Sequence, residues 1–203
     1  MSSGNASGGI DAALMQLKSE ILTMNSFNQQ LMVDWLQLYS TYLQREPTFD
    51  PLTETLSYSA GTVLSVELGY NPGSELGGSH FAIVVEDNAK SSHTVMVIPL
   101  GSERPNKAVN WNDVDLGEIP EINTLSRYPQ GTKSIAKVSQ MRAVSKLRIK
   151  APLRSGDQII VIPVPKLKDL YAKISDRFTT KGLNRPQNLR SAGNTPPAPG
   201  PQL

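Results

Sequence analysis

His80 is one of two histidines in a 203-residue chain that has no cysteine. It stands where the stretch Gly73-Ser74-Glu75-Leu76-Gly77-Gly78 gives way to the apolar run Phe81-Ala82-Ile83-Val84-Val85. An imidazole titrates near neutral pH, so it can take a proton and return it. Ser102 follows the end of a second β-branched run, Thr94–Leu100. Beyond it Lys133, Lys137, Arg142, Lys146, Arg148, Lys150 and Arg154 form a basic stripe that holds no acidic residue. Cleavage of an RNA strand needs a base for the ribose 2′-hydroxyl, an acid for the leaving 5′-oxygen and cations for the phosphate. No metal is required when those groups are positioned. The same residues also read as a satisfied strand-edge histidine and a solvated basic face, and composition does not separate the two. His93 lies in the polar turn Ser91-Ser92-His93 and reads as exposed.

Other chemistries lack their signatures. With no cysteine there is no disulfide, thiolate zinc site or thiol nucleophile. His80 and His93 are not accompanied by an H-x-x-x-H pattern or a carboxylate cluster, so no metal site is expected. The glycines at 73, 77 and 78 precede a strand, so they are not a phosphate-binding loop opening a helix. No G-x-S-x-G elbow is present.

The elements that must position these residues follow from periodicity. Strands are predicted at Thr62–Leu68, Phe81–Val85, Thr94–Leu100, Lys133–Val138, Met141–Leu147 and Gln158–Pro163, with 103–132 as a polar excursion. Leu167, Leu170, Tyr171 and Ile174 then recur at helical spacing. Short strands closed by a helix predict a small, strongly bent sheet or barrel over 59–181, a mainly β, α+β fold.

Upstream, Leu14, Leu17, Ile21, Met24, Asn28, Leu31, Trp35, Leu38 and Tyr42 alternate spacings of three and four. They predict one long amphipathic helix over 10–46 with a heptad-like seam, which can pair with another chain or fold back on its own domain. Residues 1–9 are predicted to be disordered, 47–58 to be a linker, and the Pro-rich 182–203 to be a disordered tail.

The net charge of +2 makes the chain as a whole no polyanion binder. The hydrophobic fraction of 38% is low enough that part of the chain should lie outside any core. No run of about 18 apolar residues predicts a membrane span. The first residues lack the basic and apolar regions of a secretory signal, so the cytoplasm is the expected location.

Five segments in order then resemble the MazF/PemK toxin family: Gly61-Thr62-Val63, Gly73–Gly78, Ala82–Val85, Val95–Ser102 with its Pro99-Leu100-Gly101-Ser102, and Gln140–Arg148. The family typically reads G-D-V, G-S-E-x-G-G, R-P-x-V-V, P-L-T-S and Q-I-R-x-x-x-x-x-R-L. The resemblance spans roughly residues 59–178. It implies an SH3-like CcdB/MazF-type barrel that forms a homodimer, binds and cleaves single-stranded RNA without metal or other cofactor, and is blocked by a cognate antitoxin. DNA binding is the associated expectation for such toxin–antitoxin systems.

The carry-over is incomplete. The family's usual arginine falls on His80, with Phe81 for the proline, and its usual threonine falls on Gly101. Glu75, Ser102, Gln140, Arg142 and Arg148 fall on matching positions. The resemblance therefore implies His80, Ser102 and Arg142 as catalytic residues. Glu75, Gln140, Lys146 and Arg148 are the implied RNA-binding residues. Glu75 also has a structural reading, bonding exposed backbone N–H groups in its loop. Either His80 takes over the acid–base work, or the barrel is a catalytically inactive binding or regulatory module.

Overall fold

The computed structural model describes residues 4–179. Residues 1–3 and the tail expected at 182–203 lie outside the described residues.

Eight antiparallel strands occur among them: β1 Thr62–Glu67, β2 Ser79–Val84, β3 Thr94–Ser102, β4 Val114–Glu118, β5 Lys133–Ala136, β6 Arg142–Ser145, β7 Ile149–Ala151 and β8 Ile160–Val161. The main path runs β4-β5-β3-β2-β1-β7, with β6 also on β3 and β8 also on β1. The fold is mainly β with helices at both ends, as expected. β3 is the hinge of the sheet. Its first part pairs β2 through Ala82↔Pro99 and Val84↔Val97, and pairs β6 through Val97↔Arg142. Its last part pairs β5 through Leu100↔Ala136 and Ser102↔Ser134.

Residues directly opposite in an antiparallel pair share a face, and neighbours along a strand alternate. Val63, Ile83 and Ile98 therefore line one face, and Leu64, Val66, Ala82, Val84 and Val97 the other. Each face carries its own apolar core. The first is closed by α5 (Val164–Phe178), whose Leu167, Leu170 and Ile174 pack on it. Pro165 in the first turn of α5 suits a position whose N–H has no helical partner. The second face is covered by Leu56 and Tyr58 from upstream, Leu76 from the β1–β2 loop, and Leu153.

Four expectations need correction. The segment 47–58 is not a free linker. A short α3 (Pro51–Glu54) is capped by the Asp50 side chain, Pro51, Thr55 and Tyr58 are buried, and the Tyr58 hydroxyl donates to Pro152 O at 2.8 Å. The polar excursion 103–132 hides β4 and α4 (Pro120–Ser126), which place Val114, Leu116, Ile119 and Ile122 in the core while Val109, Trp111 and Leu125 stay exposed.

The single helix over 10–46 is two helices, α1 (Gly4–Thr23) and α2 (Ser26–Arg45). Asn25 is extended and its side chain accepts from Asn28 N at 2.9 Å, which starts α2 afresh. Gln29 Nε2 donates to Leu22 O and Met24 O, satisfying the carbonyls that α1 leaves open. Residues 4–9, expected to be disordered, are helical and continuous with the turns that begin at Ile10, despite Gly4, Gly8 and Gly9.

Candidate active site

The β1–β2 loop closes on itself at its neck. Leu68 N donates to Gly78 O at 2.8 Å, and Gly78 N to Gly69 O at 2.6 Å. Two glycines are required by that closure. A Cβ on Gly77 would stand 2.5 Å from the Gly69 carbonyl oxygen. A Cβ on Gly69, at φ +83°, would stand 2.7 Å from the Trp35 ring. Helix α2 thus seats its indole directly on the loop neck. The face of the loop is held by Gln140, whose Oε1 accepts from Leu76 N at 3.3 Å and whose Nε2 donates to Ser74 O at 3.4 Å. Arg142 in turn donates through Nη2 to Gln140 Oε1 at 2.7 Å and through Nε to Gln140 O at 3.3 Å. The chain from Arg142 through Gln140 to Leu76 ties β6 to a loop more than sixty residues away in sequence.

His80 lies in β2, one residue inside the strand, paired with Val66. That pairing puts it on the same sheet face as Arg142, which pairs with Val97. Its half-buried ring approaches Leu100 O through Nδ1 at 3.0 Å. A carbonyl oxygen only accepts, so this contact places the proton on Nδ1 and leaves the Nε2 lone pair free in the neutral ring. The acceptor lies one residue past Ala82↔Pro99, the last pair between β2 and β3.

The usual threonine position, Gly101, is filled by something else. The Lys137 side chain passes over it, with Cε 3.1 Å from where a Cβ would be. Lys137 Nζ continues to the buried Asp113 carboxylate at 2.8 Å. Lys137 and Asp113 were not singled out from sequence. The only signal was the place of Lys137 in the basic stripe. Lys150, in the same stripe, donates to Ser79 Oγ at 3.0 Å beside His80 in the chain.

The remaining sequence candidates separate. Lys146 is buried at 1% exposure, and its Nζ donates to Leu56 O, Ala89 O and Lys90 O at 2.8–3.3 Å. The ammonium also lies 5.4 Å from the centre of the Tyr58 ring. Burial pushes its pKa down from the ordinary lysine value. With its donors occupied by main chain, Lys146 clamps three segments together and cannot meet an RNA strand. The RNA-binding expectation for it is withdrawn.

Arg148 lies 5.2 Å from the centre of the Trp35 ring, so its guanidinium serves the α2 contact and not the surface around His80. Ser102 is half-buried opposite Ser134, on the face of β3 that carries Leu100, so the structure does not join it to His80. Glu75 is exposed at the loop tip, and its carboxylate has no hydrogen-bond partner among the described residues; the expected backbone contacts are not made. No group of three His, Cys, Asp or Glu side chains gathers in a metal-binding arrangement among the described residues. No described helix is long and apolar enough to cross a membrane.

The site is therefore an imidazole oriented by a main-chain carbonyl, on one sheet face with Arg142 and with a lysine stem in place of a hydroxyl. The polar loop is tied to Arg142 through Gln140. Such a set can accept a proton through Nε2 and offer positive charge to a phosphate.

Comparison with known proteins agrees on the segment concerned. A family model described as PemK-like, MazF-like toxin of type II toxin-antitoxin system matches residues 59–174. Among solved structures the chain is similar to MazF (Form-I) from Deinococcus radiodurans. The two are 13% identical with a TM-score of 0.41, over 60% of this chain and 96% of that one. No curated protein matches.

Proposed function

Because this chain belongs to the PemK-like, MazF-like toxin family of type II toxin–antitoxin systems, we propose that it is an endoribonuclease toxin that cleaves single-stranded RNA without a metal ion. The observation that carries this reading is the Nδ1 contact of His80 with Leu100 O, which leaves Nε2 as the base. Nε2 removes the proton of a ribose 2′-hydroxyl, and the 2′-oxygen attacks the adjacent phosphorus. The P–O5′ bond breaks, giving a 2′,3′-cyclic phosphate on one fragment. The 5′-oxygen takes a proton from solvent water and leaves as a hydroxyl, and the His80 imidazolium returns its proton to the solvent. Arg142, held in place by Gln140, and the cations Lys137 and Lys150 supply charge for the phosphorane oxygens.

A cognate antitoxin is the partner, the barrel is a homodimer, and the loop tip with Glu75 contacts the RNA. The cytoplasm is where such a toxin meets its substrate. The test is incubation of purified protein with diverse single-stranded RNAs in EDTA, followed by analysis of fragment ends. Cyclic phosphate and 5′-hydroxyl ends are expected, and their loss in His80→Ala. Parental cleavage by His80→Ala would sink the assignment.

One observation favours a second reading. Gly101 carries no hydroxyl, and the space beside it is taken by the Lys137–Asp113 ion pair. A toxin-fold binding or regulatory module would retain RNA or protein binding and cleave nothing under the same assay.

A further inference from the structure

Helix α2 is apolar around about half of its circumference, from Phe27 through Trp35 to Leu36, with Val33 beyond that arc, yet none of its residues is buried. A helix of that composition normally has partners on several sides. On one side Trp35 and Tyr42 meet the barrel: the indole sits on Gly69, and burial near Glu67 raises the Tyr42 pKa. On another side Val33 and Leu36 face α1. Together with Leu14, Leu17, Lys18, Ile21 and Leu22 they line an open apolar groove of about 290 Å³. Its lining is exposed at Leu14 (58%), Leu22 (65%) and Val33 (40%), and Met15 of α1, outside the lining, is exposed at 74%. Apolar surface of this kind, gathered in one place, marks an interaction site.

We infer that this groove is a self-association surface, in which α1 of a second copy lies antiparallel against α1 of the first. The charges on α1 favour this occupant. The exposed residues Asp11, Leu14, Met15, Lys18 and Leu22 follow one another at spacings that keep them on one helix face. Asp11 and Lys18 stand equally far on either side of the Leu14–Met15 pair. An antiparallel partner centred on that pair sets Lys18 of each copy against Asp11 of the other, with Leu14 and Met15 at the two-fold axis. A parallel partner would oppose like charges and is disfavoured.

Other occupants fit less well. The charged residues of α1 are Asp11, Lys18 and Glu20, which does not suit a nucleic acid. Residues 180–203 offer only Leu183, Leu189 and Leu203 among prolines and polar residues. This association is separate from any dimer formed by the barrel, and does not depend on the RNA chemistry proposed above.

The absence of cysteine makes the geometry directly testable in the full chain. Under mild oxidation Met15→Cys should cross-link to itself, because the axis passes beside it. Glu20→Cys, on the opposite side of α1, should not. In sedimentation equilibrium Lys18→Asp and Asp11→Lys should each weaken assembly about tenfold or more, and the double exchange should recover most of the loss. Failure of Met15→Cys to cross-link, or a double variant that assembles no better than the singles, overturns the inference. So does binding of the hairpin face to lipid vesicles or to another protein in place of a second copy.

Discussion

The hydrogen bond from His80 to Leu100 allows its two roles to be separated by substitution. Asparagine places an amide nitrogen where Nδ1 stands, and so can keep the donation to Leu100 O while removing the base at Nε2. Alanine removes both. The contact is 3.0 Å long, neutral and half-buried, so its loss should cost about 1 kcal/mol. In a chain of this size that corresponds to a fall in Tm of roughly 2–4 °C. Loss of a general base costs about 10²–10⁴ in rate, or roughly 3–5 kcal/mol of barrier. The two effects differ enough in size to be read independently. Single-turnover cleavage of a labelled single-stranded RNA, beside thermal melts of each variant, is the assay. His80→Asn should melt close to the parent and His80→Ala a few degrees lower, while both lose cleavage by about two orders of magnitude or more. If His80→Asn cleaves within about threefold of the parent, the imidazole is only a strand-edge donor and the proposed mechanism fails.

Lys146→Met leaves three carbonyls without their donor, and should lower stability by about 2–4 kcal/mol in urea melts; undiminished RNA affinity of the folded variant would confirm that Lys146 contacts no RNA. Gln140→Ala releases Leu76, Ser74 and Arg142 together, so the Leu76 amide should exchange hydrogen faster and cleavage should fall about tenfold; unchanged protection at Leu76 would refute the tether. Asp157 accepts from Leu153 N and Arg154 N, and these bonds hold its carboxyl below the ordinary aspartate range. A depressed carboxyl contributes stability above its unfolded pKa of about 3.9 and loses it as pH falls through the lower folded value. The stability gap between the parent and Asp157→Asn should therefore be constant above about pH 5 and shrink on further acidification; a gap that does not depend on pH would contradict this.

Local pattern carried the larger features. Alternation of β-branched residues located most strands, and the glycines at 73–78 located the loop whose neck closes through Gly69 and Gly77. The heptad-like spacing found helical segments but not their break. Asn25 and Gln29 are unremarkable by composition, and only their bonds to Asn28 N, Leu22 O and Met24 O separate α1 from α2. β4 and α4 escaped because their few apolar residues are diluted by polar neighbours, and burial of those few is decided by strands distant in sequence.

Sequence by itself determined the family, the mainly β architecture and the position of a histidine at the head of β2. Only tertiary structure sorted the basic stripe. Lys146, Arg142 and Lys137 are interchangeable as positive charges in a sequence. The fold sends the first, in the turn after β6, into the interior onto three carbonyls, the second, in β6, to Gln140 on the His80 face, and the third, just past β5, across Gly101 to Asp113. A side chain's type sets which bonds it can make. Its partner depends on which distant segment the sheet brings beside it, and contacts of that kind leave no trace in local periodicity.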